Sequence, residues 1–126
     1  MLGVRYRPES CLTGGRHAVL NPLVRKISAV CRQDRTVQNF YIGIASGVDY
    51  ERALARRVDN YKELNGISEM ILLYQSSSQR FCREVESYLI EYFLERNLNI
   101  VNRRGGRAGR PTSQPYSYVY LAVSRC

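Results

Sequence analysis

The sequence predicts a single domain of the α/β class, of the α+β type: a small mixed or antiparallel β-sheet flanked by helices, with an additional C-terminal strand. Two observations predict it. Short runs rich in β-branched and aromatic residues, typical of strands, recur at 23–30, 37–45, 68–75 and 116–123. Between them, residues 49–64 and 76–96 repeat apolar residues at helical spacing. With 126 residues, 44% of them hydrophobic, the chain can bury one core.

Charge is distributed unevenly along the chain. The net charge is +8, and 17 of the 19 basic residues are arginine. Residues 1–40 carry seven basic and two acidic residues, and residues 97–126 carry five arginines and no acid. The planar fork of arginine suits bidentate binding of phosphate oxygens. The sequence therefore predicts a nucleic-acid partner, and a generally basic surface is the alternative interpretation.

Histidine and cysteine usage limits the metal chemistry that is available. The chain has one histidine, His17, and no Cys-x-x-Cys pair, which excludes a two-histidine centre and a zinc knuckle. A metal, if bound, must be a hard ion held by carboxylates. No apolar run is long enough to span a membrane and no secretion signal is evident, so we expect an intracellular protein, cytoplasmic or nuclear.

The N-terminal third predicts an arm followed by a hairpin. Residues 1–22 show no sustained period and contain several Pro and Gly, which favours an irregular basic arm. Residues 23–30 predict a strand that pairs through a polar loop with the strand 37–45. This hairpin would bring Lys26 and Ser28 next to the second strand.

The second strand of this hairpin carries the sequence Tyr41-Ile42-Gly43-Ile44. Side chains alternate along a strand, so Tyr41 and Gly43 face one side and Ile42 and Ile44 the other. A glycine inside a strand marks a bulge or the close approach of another backbone or a ligand. One face is therefore apolar, and the other carries a phenol beside a gap.

Residues 49–64 predict a helix with Asp49 as its N-cap and Gly66 just past its end. Its buried stripe consists of Leu54, Val58 and Tyr61. Arg57 lies on the same stripe. Because a buried unpaired charge is costly, this guanidinium must meet a partner or line a cleft.

A third, central strand at 68–75 precedes a second helix, which a capping box of Ser76 and Gln79 opens and which runs to about Arg96. The predicted buried stripe of this helix consists of Phe81, Val85, Tyr88, Leu89, Tyr92 and Phe93. Glu86 differs from the other acids of the helix, because apolar residues follow it three, four and seven positions later. It should border the buried face.

The C-terminal part combines a basic loop with a strand. Residues 103–110 read Arg-Arg-Gly-Gly-Arg-Ala-Gly-Arg, in which glycines let the backbone approach phosphates and arginines supply charge. Residues 116–123 alternate in the manner of a terminal strand.

Four features follow one another along the predicted strands and helices: Tyr41-Ile42-Gly43, then Arg57, then Glu86 and then Asn99. In this series the chain resembles the GIY-YIG nuclease family, over roughly residues 23–106. The resemblance implies one GIY-YIG-like nuclease domain spanning the whole chain, with 23–106 as its catalytic core. The basic arm precedes that core, and a basic loop with the terminal strand, 107–126, follows it.

The resemblance implies roles for individual residues. Tyr41 would line the active site and activate or position the attacking water. Arg57 would contact the scissile phosphate, and Glu86 would be the lone carboxylate ligand of Mg²⁺ or Mn²⁺. This chemistry is coherent, because a magnesium ion keeps several waters and needs few protein ligands.

Other matches are looser. Tyr61 occupies the family position four residues after the helix arginine, and Asn99 matches the asparagine after the second helix, with Asn102 close enough to compete. The first half-motif, Gly-Ile-Tyr, is absent, and Lys26 or Ser28 stands where its tyrosine would project.

Each residue also has a structural interpretation when it is taken alone. Tyr41 reads as a core aromatic, Arg57 as half of a salt bridge, and Glu86 as a surface acid of a helix. Asn99 reads as a residue of a turn. Only the order of these residues along the predicted strands and helices favours a functional interpretation.

The sequence thus predicts a metal-dependent DNA endonuclease that hydrolyses phosphodiester bonds in double-stranded or branched DNA. The residues predicted to contact DNA are Arg5, Arg7, Arg16, Gly43, Arg103, Arg104, Arg107 and Arg110. The alternatives are a non-catalytic nucleic-acid-binding module on a degenerate nuclease scaffold and a protein that binds an acidic protein. The oligomeric state stays open, a homodimer included.

Overall fold

A computed structural model describes residues 5–7, 16–33, 37–58, 67–96, 99–102 and 113–125. In chain order, its strands and helices are β1 (Arg5–Arg7), α1 (Arg16–Gln33), β2 (Val37–Gly47), α2 (Tyr50–Val58), β3 (Glu69–Ser76), α3 (Gln79–Leu94) and β4 (Tyr116–Arg125). The predicted α+β class, a small mixed sheet flanked by helices, is confirmed. In the part of the chain described here, no helix is long and apolar enough to cross a membrane.

The strands form one sheet in the order β1-β3-β4-β2. β4 lies between β3 and β2 and is antiparallel to both, whereas the short β1 runs parallel to β3. The predicted terminal strand therefore exists, but it is an interior strand of the sheet. Its residues Val119, Tyr120 and Leu121 are almost fully buried, as an interior strand covered on both faces requires.

Helices cover both faces of the sheet. α1 and α3 pack on the face that carries Phe40, Ile42 and Leu121, and α2 packs on the face that carries Tyr120 and Leu72. The predicted alternation along β2 is confirmed, since Ile42 belongs to the first core cluster, Ile44 packs against it, and Tyr41 packs against the second cluster.

The predicted strand at 23–30 is wrong, because these residues belong to α1. Val19, Leu23 and Ile27 recur every four residues and are buried against α3 and β2, which is a helical period. The predicted hairpin is therefore absent, and β4 takes the place beside β2. The irregular arm is also wrong within the described positions, since Arg5–Arg7 form a strand and α1 begins at Arg16.

The two later helices begin close to their predicted starts. Asp49 caps α2 as predicted, because its Oδ1 accepts the backbone N–H of Glu51 at 3.1 Å. At α3 the N-cap is Ser78, whose Oγ accepts from Phe81 N at 3.2 Å, so the predicted capping box on Ser76 is wrong. Ser76 instead accepts from the Ser78 N–H in the preceding turn. The predicted continuation of α2 over 59–64 lies outside the described residues.

Candidate active site

Gly43 lies opposite Tyr120 in the β2–β4 ladder, and this pairing builds the site. A Cβ added at Gly43 would overlap the Tyr120 hydroxyl, and it would lie 2.5 Å from Tyr120 Cζ and 2.9 Å from Tyr41 Cε1. Glycine is needed here because the Tyr120 ring packs across the strand. The gap that the sequence predicts beside the Tyr41 phenol is therefore filled by the Tyr120 side chain.

Tyr41 and Tyr120 form a pair of neighbouring phenols on the α2 face of the sheet. Tyr120 is 1% exposed, whereas Tyr41 is half-buried. Burial raises the pKa of Tyr120 far above its ordinary value, the nearby Tyr41 raises it further, and Arg57 lowers it. Tyr120 is consequently a neutral phenol at any physiological pH, and Tyr41 is the member of the pair that reaches the surface.

Arg57 lies in the last turn of α2, whose buried residues Ala53 and Leu54 anchor the helix to the sheet. The arginine itself is exposed, so it is not part of the buried stripe on which its spacing placed it. It lies near enough to two groups to shift their pKa values, namely Tyr120 and Glu86. Arg57 therefore has an electrostatic effect in both layers, on the phenol pair of the α2 face and on the carboxyl of α3, which packs on the opposite face.

Glu86 is half-buried on α3, as predicted from its apolar neighbours. α3 directs Cys82, Val85 and Leu89 into the core, and Glu86 follows that stripe at its margin. Burial raises the pKa of Glu86 to about 7, and the cations Arg57 and Arg83 oppose the rise. The carboxyl is thus poised to change charge near neutral pH.

The predicted outer aromatic residues of α3 are not core residues. Phe81 is 44% exposed and Tyr88 is 43% exposed, so the prediction that they belong to the buried stripe is wrong. The buried face is narrower than the sequence period indicated.

Asn102, rather than Asn99, is integrated into the site. Its side-chain amide donates to Ile42 O and its Oδ1 accepts from Ile42 N, both at 2.8 Å. Asn102 is buried, whereas the Asn99 side chain is exposed and only its backbone carbonyl binds Phe40 N, at 2.9 Å. The asparagine of this segment that contacts the glycine-bearing strand is therefore Asn102.

Lys26 and Ser28 lie on α1, which packs on the opposite face of the sheet from Tyr41. The Nζ atom of Lys26 is buried. The prediction that a hairpin sets either side chain beside Tyr41 is wrong, because that hairpin does not form. Tyr120 occupies the place beside Tyr41 that Lys26 or Ser28 was predicted to fill.

Several predicted site residues cannot be related to this geometry. Tyr61 and the loop arginines 103, 104, 107 and 110 lie outside the described residues. Arg5, Arg7 and Arg16 belong to β1 and α1 by their backbone, and their side chains are not described.

Sequence reasoning missed Tyr120 and Arg83. The signal for Tyr120 was present, because Tyr116, Tyr118 and Tyr120 alternate and therefore share one face of β4. Arg83 precedes Glu86 by three residues, a spacing that makes side chains neighbours on a helix.

The candidate metal ligands of the site could hold a hard divalent cation only through one carboxylate, that of Glu86. Within the described ranges, no group of three or more His, Cys, Asp or Glu residues is close enough to enclose a metal. Mg²⁺ does not need such a group, since it retains waters and binds through one or two carboxylates. The half-buried Glu86 meets that requirement, and its raised pKa means that a proton competes with the cation.

Comparison with models of known protein families, with curated protein sequences and with solved structures finds no match for this chain. The chemistry of the site must therefore support any functional assignment.

Proposed function

We propose that this protein is a metal-dependent phosphodiester hydrolase that cleaves DNA. One observation carries the proposal. Arg57 is exposed, yet it lies within electrostatic range of both the Glu86 carboxyl, whose pKa is raised to about 7, and the buried Tyr120. The arginine thus acts electrostatically both on the carboxyl of α3 and on the phenol pair across the sheet from it, which are the groups that the resemblance to GIY-YIG nucleases implies.

Arg57 is the residue that binds the scissile phosphate. Its exposure makes the guanidinium accessible to a polyanion, and a planar fork can contact two non-bridging oxygens at once. Negative charge that develops on those oxygens during the reaction is stabilised by the same contact. The neighbouring Arg83 adds positive charge near Glu86.

Tyr41 is the phenol that meets the attacking water. It is half-buried, so its ring is held while its edge reaches solvent. Tyr120 packs against Tyr41 and Gly43 and fixes the orientation of the Tyr41 ring. The water oxygen bonds to phosphorus and releases one proton to solvent, the phosphorus–sugar oxygen bond breaks, and the leaving oxygen gains a proton from solvent.

Glu86 is the group that would hold the cation. A bound Mg²⁺ or Mn²⁺ would supply charge neutralisation and an acidified water. Because the carboxyl must lose its proton to bind a cation, cleavage should rise with pH through the neutral range.

Cleavage of supercoiled plasmid in Mg²⁺ or Mn²⁺ tests the proposal. Glu86→Gln and Arg57→Ala should each slow nicking by about a hundredfold or more, since each removes a group that acts in the transition state. Arg56→Ala is the matched control, because Arg56 is also an exposed arginine and lies one position away. Cleavage that persists in Glu86→Gln at the wild-type rate would refute the assignment.

A non-catalytic DNA-binding module is the second candidate, and one observation favours it. The Tyr120 hydroxyl fills the space at Gly43 that a substrate oxygen would otherwise use. This alternative predicts salt-sensitive DNA binding with no cleavage in any divalent metal.

A further inference from the structure

Four side chains at four-residue spacing form a continuous row along α3 and its C-terminal turn: Glu84, Tyr88, Tyr92 and Arg96, called here the α3 ladder. The rings of Tyr88 and Tyr92 are stacked, with centroids 6.4 Å apart. The guanidinium carbon of Arg96 lies 3.4 Å from the Tyr92 centroid, and its Nη1 donates to Tyr92 O at 2.9 Å. The row is therefore ordered before any partner binds.

The packing of the core accounts for only part of this row: Tyr92 packs against the core cluster, and Arg80 Nε lies 3.4 Å from Glu84 Oε1. α3 buries a different stripe against the sheet, made of Cys82, Val85, Leu89 and Phe93. Tyr88 is 43% exposed, and Phe81, on the same side of the helix, is 44% exposed. Exposed aromatic rings that end in a guanidinium have the composition of protein–protein binding hot spots.

The charges of α3 select the kind of partner. In a chain of net charge +8, residues 79–96 carry four glutamates and three arginines, so this helix is slightly acidic. A polyanion is therefore disfavoured here. The ladder itself has a carboxylate at its N-terminal end and a guanidinium at its C-terminal end, with two phenols between them.

Such a row is complementary to its own antiparallel copy. When two ladders meet head to tail, Glu84 faces Arg96 of the second copy and Tyr88 faces Tyr92 of the second copy. Rows of residues at i and i+4 form the ridges that interlock in the commonest mode of helix packing, at about −50°. A two-fold axis then repeats every contact twice.

We propose that the α3 ladder is the interface of a homodimer related by a two-fold axis. The ladder spans about 18 Å of helix at 1.5 Å per residue, which makes a small interface. The dimer should therefore dissociate on dilution. The inference does not depend on the hydrolase assignment.

Sedimentation equilibrium over a wide range of protein concentration tests the dimer. The chain has a mass of 14.5 kDa, and we expect the apparent mass to double as concentration rises. Tyr88→Ala should raise the dissociation constant by about tenfold or more, since it removes a central aromatic contact. Ser87→Ala, at an exposed position off the ladder, should leave the dissociation constant unchanged.

A charge exchange distinguishes the ladder from any other surface. Glu84→Arg alone and Arg96→Glu alone should each weaken the dimer, because each places like charges opposite each other twice. The double variant restores opposite charges and should dimerise more tightly than either single variant. Circular dichroism of each variant verifies that the helices persist.

Three results would overturn the proposal. They are a monomer at every concentration, a dimer that the ladder variants do not weaken, and a double variant no tighter than the single variants. A monomer whose binding to single-stranded DNA is lost in Tyr88→Ala would instead assign the exposed rings to base stacking.

Discussion

Position 43 must be glycine because of the residue opposite it in the sheet. Tyr120 crosses the strand at this point, and its ring leaves no space for a Cβ. The sequence correctly marked Gly43 as a site of close approach. It could not identify the approaching group, because a single sequence does not reveal which distant strand pairs with β2.

We expect Gly43→Ala to destabilise the fold by about 1–3 kcal/mol, since the added carbon forces the buried Tyr120 ring to move. Urea unfolding measures the loss. Gly47→Ala is the matched control on the same strand, where the nearest atom to an added Cβ is Ala53 Cβ at 3.4 Å. Equal stability of the two variants would contradict this packing.

Glu86 should make folding stability depend on pH. Its pKa in the folded chain is about 7, above its ordinary value of 4.5, so the folded state holds the proton more tightly than the unfolded state. The stabilisation is therefore complete below about pH 4.5 and is lost as the pH rises through 7.

The wild type should lose about 2–3 kcal/mol of free energy of unfolding between pH 4 and pH 8 as Glu86 ionises, whereas Glu86→Gln should not, because glutamine does not ionise. The stability of the variant relative to the wild type should therefore rise by that amount. Urea unfolding at both pH values measures the difference. Glu95→Gln, at an exposed position of the same helix region, serves as the control. If the stability difference between Glu86→Gln and the wild type were the same at both pH values, Glu86 would not titrate with a raised pKa.

Among the elements, the segment 99–102 and β2 are joined in an unusual way. Backbone bonds connect Phe40 to Asn99 and Val101, and the Asn102 side chain then provides the next pair of bonds, to Ile42. A side-chain amide thus continues a parallel backbone ladder for one further step.

Asn102→Ala should cost about 1–3 kcal/mol of stability, because it leaves the buried N–H and C=O of Ile42 unsatisfied. Asn99→Ala should be nearly neutral, since only the backbone of Asn99 bonds to β2. Thermal or urea unfolding of the pair measures the contrast. If the two variants were equally stable, the amide bridge would have no energetic role.

Helices and strands that are marked by a cap or by a hydrophobic period were predictable from the sequence. Those that depend on contacts between residues far apart in the chain were not. The Asp49 cap and the period of α3 predicted two helices, a continuous apolar run predicted β3, and alternation predicted β4. α1 was missed because β-branched residues and Pro22 favour other structures locally, and tertiary packing overrides those preferences.

For the whole molecule, the interior position of β4 has the largest functional consequence. It brings a tyrosine from the end of the chain to the middle of the sheet, beside Tyr41. Sequence order alone suggested that Tyr41 lacked a phenol partner, because the first half-motif is absent. The order of motifs named Glu86 and Arg57 as candidates, whereas the electrostatic effect of Arg57 on Glu86 is a property of the folded chain.

The charge of the whole chain agrees with a DNA substrate. A net charge of +8 attracts a polyanion at long range, and the exposed Arg57 offers a specific contact.

The central claim is that Arg57 and Glu86 serve one hydrolytic reaction. Single-turnover rates of DNA cleavage in Mg²⁺, for wild type, Arg57→Ala, Glu86→Gln and the double variant, test it most directly. Groups that act in the same step are non-additive, so the double variant should be no slower than the slower single variant. Losses that multiply, or wild-type cleavage in either single variant, would contradict the account.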